Sequence, residues 1–361
     1  MDWSLSIDKA LPRPLRVILR GVGQVFFCCN AVTGLIFLIA LYVGGITAGL
    51  AATVGVITST AAAYVLGFSE DDIDAGLYGF NGTLVGPCLF LFLENTPQLW
   101  LYVVLASILS TVVLAALMRI LQPYNIPAST SPFVLTCWMF MVAVFAFDSY
   151  SRGPILPSAA TPTEIADTAA VAVESAGSIG AWFGSFTGEV IQDWYTAITK
   201  GIAEVMFADS VIVGILFLIG IAITSMRGAV MAFMGAVVGV VIPILLGADA
   251  GLIKMGLYGF NPVLTMMAVG WVFLKPSTGT ALLALLAGIL TVVCHGALAS
   301  FLAPIGLPTL TFPFVLVMWM FLFAASKSIY WSHLFNCNLF GFNPRRLRRG
   351  ALLSPYERPG T

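Results

Sequence analysis

Charge is what this chain has least of. Only 9% of its 361 residues are Asp, Glu, Lys or Arg, against about 25% in a soluble globular domain. A deficit of that size excludes a surface that faces water all round. Histidine is nearly absent too, with His295 and His333 alone. The six cysteines, at 28, 29, 88, 137, 294 and 337, fall mostly in apolar runs and form no C-x-x-C pair. Neither a metal centre nor a disulfide framework is supported, and the thiols read as small buried groups. There is no H-E-x-x-H, no matched aspartate pair inside an apolar run, and no serine–histidine arrangement. Those absences speak against an enzyme. No cofactor and no nucleic-acid partner are expected. The basic start (Lys9, Arg13, Arg16, Arg20) is not followed by a small-x-small cleavage site, and the segment reads as retained.

What is present is apolar. Hydrophobic residues make up 59% of the chain and mean hydropathy is +0.99. Runs such as 32–67 and 99–118 reach the roughly 18 to 20 residues that a bilayer-spanning helix needs. The expected class is an all-α polytopic membrane protein embedded in a lipid bilayer.

The apolar text is written twice. "RGVGQVFF" (20–27) returns as "KGIAEVMF" (200–207), "GLIFLI" (34–39) as "GILFLI" (214–219), and "GLYGFN" (76–81) unchanged at 256–261. Leu84 is matched by Leu264 at the same interval of 180. "NIPASTSPFVLTCWMF" (125–140) then returns at 181 as "GLPTLTFPFVLVMWMF" (306–321). Landmarks kept in one order mark an internal duplication. Each copy reads as a short apolar piece (15–29; 195–208), of re-entrant length, and five spans. These are expected near 31–46, 48–67, 79–93, 99–119 and 131–147, then 210–225, 228–247, 257–274, 280–302 and 312–330. Five is odd, so the second copy should cross in the opposite sense, giving an inverted repeat of two five-helix halves, each with a short re-entrant pore helix.

Charge orients the halves. With the N-terminus inside, thirteen of the sixteen Lys and Arg residues fall on the cytoplasmic side, leaving Arg152, Lys200 and Lys254 outside. The expectation is a multi-pass protein of the plasma (inner) membrane with both termini cytoplasmic. Residues 1–147 are the first half, 148–196 an extracellular or periplasmic linker, 197–330 the inverted half and 331–361 a basic cytoplasmic tail.

Polar residues at matched positions are the candidate site. Thr130 pairs with Thr311, each two residues before a proline, and Gln24 pairs with Glu204. Pro127, Pro132, Pro308 and Pro313 are expected to interrupt the helical ladder and expose carbonyls beside each hydroxyl. An unpartnered polar group in an apolar medium costs roughly 2–7 kcal/mol. Four such groups in two symmetric sets point to a solute path. The matched aromatics Phe27 and Phe207, and Phe80 and Phe260, with Leu84 and Leu264 beside them, would make a flat dry slot. Such a slot admits a small planar neutral molecule and resists hydrated ions.

These motifs also resemble a known family. "GLPTLTFPF" fits the L-P-x-x-T-x-P-F signature of urea transporters, and "NIPASTSPF" fits it with Ile126 in place of the leucine. "GQVFF" and the doubled "GLYGFN" look like that family as well. The resemblance implies a homotrimer with one pore per subunit, passing urea down its gradient. Carried over by position, Gln24, Thr130, Glu204 and Thr311 would line a hydrogen-bond ladder. Phe27, Phe80, Leu84, Phe207, Phe260, Leu264 and Val205 would form its apolar slot. Two other readings stay open at this point. One is an ammonia or ammonium channel, although His295 has Ala115 at the matched position. The other is a proton-coupled small-amide transporter working through Glu204.

Overall fold

The structure is a computed structural model that describes residues 2–147, 153 and 188–327. Most of the expected linker, the tail at 331–361, His333 and Cys337 lie outside the described residues. Every regular element among the described residues is a helix. In the first half these are α1 (Asp2–Ala10), α2 (Arg13–Gln24), α3 (Ala31–Gly44), α4 (Ile46–Val65), α5 (Glu70–Asp74), α6 (Gly79–Phe92), α7 (Leu99–Leu121) and α8 (Ser131–Ala143). In the second they are α9 (Gly188–Ala203), α10 (Val211–Thr224), α11 (Met226–Leu245), α12 (Ala250–Lys254), α13 (Phe260–Met267), a π-helical turn (Ala268–Val272), α14 (Thr278–Leu302) and α15 (Phe312–Lys327).

Length sorts the helices into two groups. The matched pairs α4/α11 and α7/α14 are the four helices, among the described residues, long and apolar enough to cross a membrane. At 1.5 Å per residue, the 14 residues of α3 or α10 reach only about 21 Å, short of a roughly 30 Å hydrocarbon core. The same holds for α8, which stops at Ala143 although the apolar text runs on to Phe147. The expected spans at 31–46, 79–93 and 131–147, with the copies at 210–225 and 257–274, are therefore shorter helices than hydropathy suggests. Apolar composition does not mark where the backbone ladder ends. The two short pieces expected to be re-entrant fall on α2 and α9, the latter starting earlier than expected; the helix ending at Met206 and α10 are bent by 72° at their junction, as a re-entrant or broken span would be. The short α1, α5 and α12 carry no hydropathy signal.

Local chemistry fixes the breaks in duplicate. Asn30 caps α3 by accepting from the backbone N–H groups of Val32 and Thr33, and Ser210 caps α10 by accepting from Val213. Ser69 and Asp249 do the same for α5 and α12. Every positive-φ residue among the described ones has its match: Phe27 with Phe207, Gly67 with Gly247, Gly76 with Gly256, Asn125 with Gly306, and Ser129 with Leu310. Packing is close. A Cβ on Gly55 would stand 2.0 Å from the carbonyl oxygen of Gly82, and one on the matched Gly235 would stand 2.6 Å from that of Pro262. Glycine lets the α4/α6 and α11/α13 backbones touch.

The halves are inverted. The equivalent helices α3 and α10 lie against each other, with the Thr33 hydroxyl donating to the Gly220 carbonyl at 2.9 Å and lying 2.8 Å from that of Thr224. Further along, the Phe37 and Phe217 rings meet at 5.1 Å, and Gly44 lies against Val213. Residue numbers rise on one helix as they fall on the other, so two copies of one helix run antiparallel. That is the relation a two-fold axis across the helices imposes.

Candidate functional site

Two chain breaks and two helix starts carry the matched motifs. At the first break α2 ends on Gln24. The N–H of Phe27 donates to the Gln24 carbonyl at 2.9 Å, and that of Cys28 to Gly23 at 3.0 Å. This winds Phe27 into the left-handed region at φ 60°. The second break repeats it, with Phe207 donating to Glu204 at 3.1 Å and Ala208 to Ala203 at 3.3 Å, and Phe207 at φ 62°. Glycine is the usual occupant of this cap position. A bulky residue there costs roughly 1–2 kcal/mol. The duplicate strain holds both phenyl rings in one orientation, and each crosses to the opposite half. Phe27 meets Phe273 at 5.8 Å and Phe314 at 6.2 Å; Phe207 meets Phe92 at 6.5 Å and Phe133 at 5.9 Å, all tilted well away from parallel.

The helix starts bring the threonines together. Thr130 Oγ1 lies 2.7 Å from Thr311 Oγ1, and the two residues are only 3% and 2% exposed. Thr130 stands at the cap position of α8 but makes no side-chain cap bond. Its hydroxyl faces the other half instead. Pro132 and Pro313 open helices rather than interrupting them. The carbonyls expected to stand bare are in part taken: Trp138 Nε1 donates to Pro308 and Trp319 Nε1 to Pro127, both at 2.8 Å. These reciprocal bonds run in the same antiparallel sense as α3 and α10.

The remaining site residues are placed less centrally. Gln24 is buried and its Nε2 donates to the Ala75 carbonyl at 2.9 Å rather than to a threonine. Glu204 is half-buried in the turn between α9 and α10, with the Lys200–Asp209 ion pair, at 2.6 Å, as its charged neighbours. Leu84, Leu264 and Val205 are buried in the core, Phe80 is buried, and Phe260 is half-buried edge-on to His295 at 6.1 Å.

Sequence reasoning missed the residues that hold the threonine helices in place. The last residue of each "GLYGFN" is a fully buried asparagine. Asn81 Oδ1 accepts from the Phe133 N–H at 3.0 Å, and Asn261 Oδ1 from the Phe314 N–H at 3.1 Å. The asparagines cap α8 and α15 from outside and tie one repeated motif to the other. The unchanged repeat of "GLYGFN" is the signal in the sequence that points to them. Trp138 and Trp319 were likewise visible only as a matched pair.

The family model described as urea transporter matches residues 15–326, from α2 into α15. The chain belongs to the urea transporter family. Relatives include Urea transporter 1 of Ovis aries, 28% identical over 314 residues that cover 86% of this chain and 77% of that protein. Urea transporter 1 of Capra hircus and of Mus musculus are each 27% identical over the same shares. Both breaks, both asparagines and both threonines of this urea transporter family member fall inside the matched stretch. The family is one of membrane transporters, in keeping with the four helices, among the described residues, long and apolar enough to cross a bilayer.

Proposed function

We propose that this protein conducts urea passively along a path between its two inverted halves. The hydroxyl pair Thr130–Thr311 is the observation that carries the reading. It joins the matched residues of the two halves, and both hydroxyls are buried. Urea is planar, neutral and rich in N–H donors, so each step away from water must give those donors an oxygen. In the proposed path the threonine hydroxyls, the Gln24 side-chain oxygen and Glu204 supply oxygens in sequence, with the second lone pairs of the Pro127 and Pro308 carbonyls beside them. Phe27, Phe80, Phe207 and Phe260, backed by Leu84, Leu264 and Val205, keep the solute edge-on to that ladder. Stripping an amide of water without replacement costs roughly 2–7 kcal/mol. A ladder that returns most of this cost permits passage, whereas a deeper well would trap the solute. Hydrated ions meet phenyl faces and no full coordination shell.

In this reading the protein is a homotrimer in the inner membrane, one pore per subunit, with cytoplasmic termini. A second reading couples transport to protons through Glu204, and the nearby Lys200–Asp209 pair favours it by giving the carboxylate charged neighbours. One assay separates the two. Purified protein in proteoliposomes should let labelled urea equilibrate, at the same final level with and without a pH gradient. Accumulation above equilibrium that follows the gradient would establish coupling, and no urea entry above that of empty liposomes would refute the urea reading.

A further inference from the structure

We infer that His295 is a positioning residue for the urea path, holding the Asn261 amide in the single orientation that fixes the chain around Thr311; this rests on the urea reading above.

The backbone N–H of Phe314 can only donate, so the Asn261 atom 3.1 Å from it is the oxygen. The amide nitrogen then faces two acceptors. It donates one hydrogen to the Leu310 carbonyl at 3.0 Å and the other toward His295 Nδ1 at 3.3 Å. One side chain thus ties residues 310 and 314, which bracket Thr311. Leu310 sits at φ 49°, a left-handed conformation that leucine rarely adopts and that its bonded carbonyl helps to retain.

The imidazole follows from the amide. Its Nδ1 must accept, so the ring proton resides on Nε2. Thr309 Oγ1, 3.5 Å from the same nitrogen, approaches as a second donor. The Tyr258 ring at 5.0 Å and the Phe260 ring at 6.1 Å hold the imidazole from its sides. A flipped amide would set donor against donor at Phe314 and acceptor against acceptor at Leu310 and His295.

The first half supplies the natural comparison. Asn81 makes the same bond to Phe133, but Ala115 stands where the second half has His295. Asn81 Nδ2, fully buried, has no partner among the described residues. Its amide holds one bond where Asn261 holds three, so Thr311 is the fixed member of the hydroxyl pair and Thr130 the yielding one.

Two measurements test this. The chain has two histidines, so a His333→Gln variant labelled with 13C,15N-histidine and reconstituted in bilayers shows a single imidazole, whose Nδ1 and Nε2 signals are told apart by correlation to the ring carbons. Solid-state NMR should find the proton on Nε2; a proton on Nδ1 overturns the assignment. In proteoliposomes, His295→Asn retains an acceptor on the γ-carbon and should keep urea entry within about twofold of wild type. His295→Leu keeps bulk without an acceptor and should lower entry about fivefold, the factor set by one net hydrogen bond. Equal rates in the two variants, fast or slow, contradict the inference. Should His295→Leu fail to fold, the NMR signal and the Asn variant decide. A wild-type protein that passes no urea would refute the urea reading instead, leaving the tautomer result to stand or fall separately.

Discussion

The two halves share one plan and finish it differently. Seven buried side-chain polar atoms lack a partner among the described residues: Arg16 Nε, Thr60 Oγ1, Asn81 Nδ2, Ser107 Oγ, Asn125 Oδ1, Ser129 Oγ and Thr136 Oγ1. All belong to the first half. At the matched positions the second half has Val240 for Thr60, Ala287 for Ser107, Gly306 for Asn125, Leu310 for Ser129 and Val317 for Thr136. Where it keeps the polar group, as in Asn261, it adds a partner, His295. Duplication thus preserved what both copies need: the strained phenylalanines, the capping asparagines, the proline-started helices and the threonines. It left the supporting polarity to diverge. A buried group left unpaired costs about 1–3 kcal/mol while its apolar replacement costs little, so the first half is expected to be the softer of the two.

The largest expected consequence concerns the asparagines. Asn261→Leu removes three hydrogen bonds and should destabilise the protein by about 3 kcal/mol, whereas Asn81→Leu removes one bond together with an unsatisfied donor and should cost about 1 kcal/mol or less. Denaturation of both variants in mixed micelles checks this. Equal losses would mean that the halves are equally tight. The smaller consequence runs the other way. Rewriting the first half in the second half's residues, as Thr60→Val, Ser107→Ala and Thr136→Val, should raise stability by about 1 kcal/mol each. Melting temperatures that fall in all three would show that those hydroxyls are satisfied in the bilayer, and would remove the contrast.

Much of this plan was legible in the sequence, and the limits have physical causes. The repeat interval alone pairs Thr130 with Thr311, because residues related by a duplication occupy equivalent places in both copies. The odd number of apolar runs per copy implied the inversion that α3 and α10 display. What escaped was everything set by the meeting of the halves. Nothing local in "CWMF" says that Trp138 reaches Pro308, or that Phe27 packs on Phe314, since those contacts exist only once the copies face each other. The asparagine caps escaped for a related reason: Asn81 serves a helix that begins 50 residues later, while capping rules look a few residues ahead. Helix lengths escaped because valine and phenylalanine remain apolar beyond the last helical hydrogen bond, as at Val144–Phe147.

The central claim is that one hydroxyl from each inverted half meets the other on the route that urea takes. A Thr130→Cys/Thr311→Cys double variant tests it most directly, since hydroxyls 2.7 Å apart place two thiols within bonding reach. Under oxidation the pair is expected to cross-link and urea entry into proteoliposomes to fall to the level of empty liposomes, with recovery on reduction. Failure to cross-link, or cross-linked protein that passes urea at the reduced rate, would contradict it.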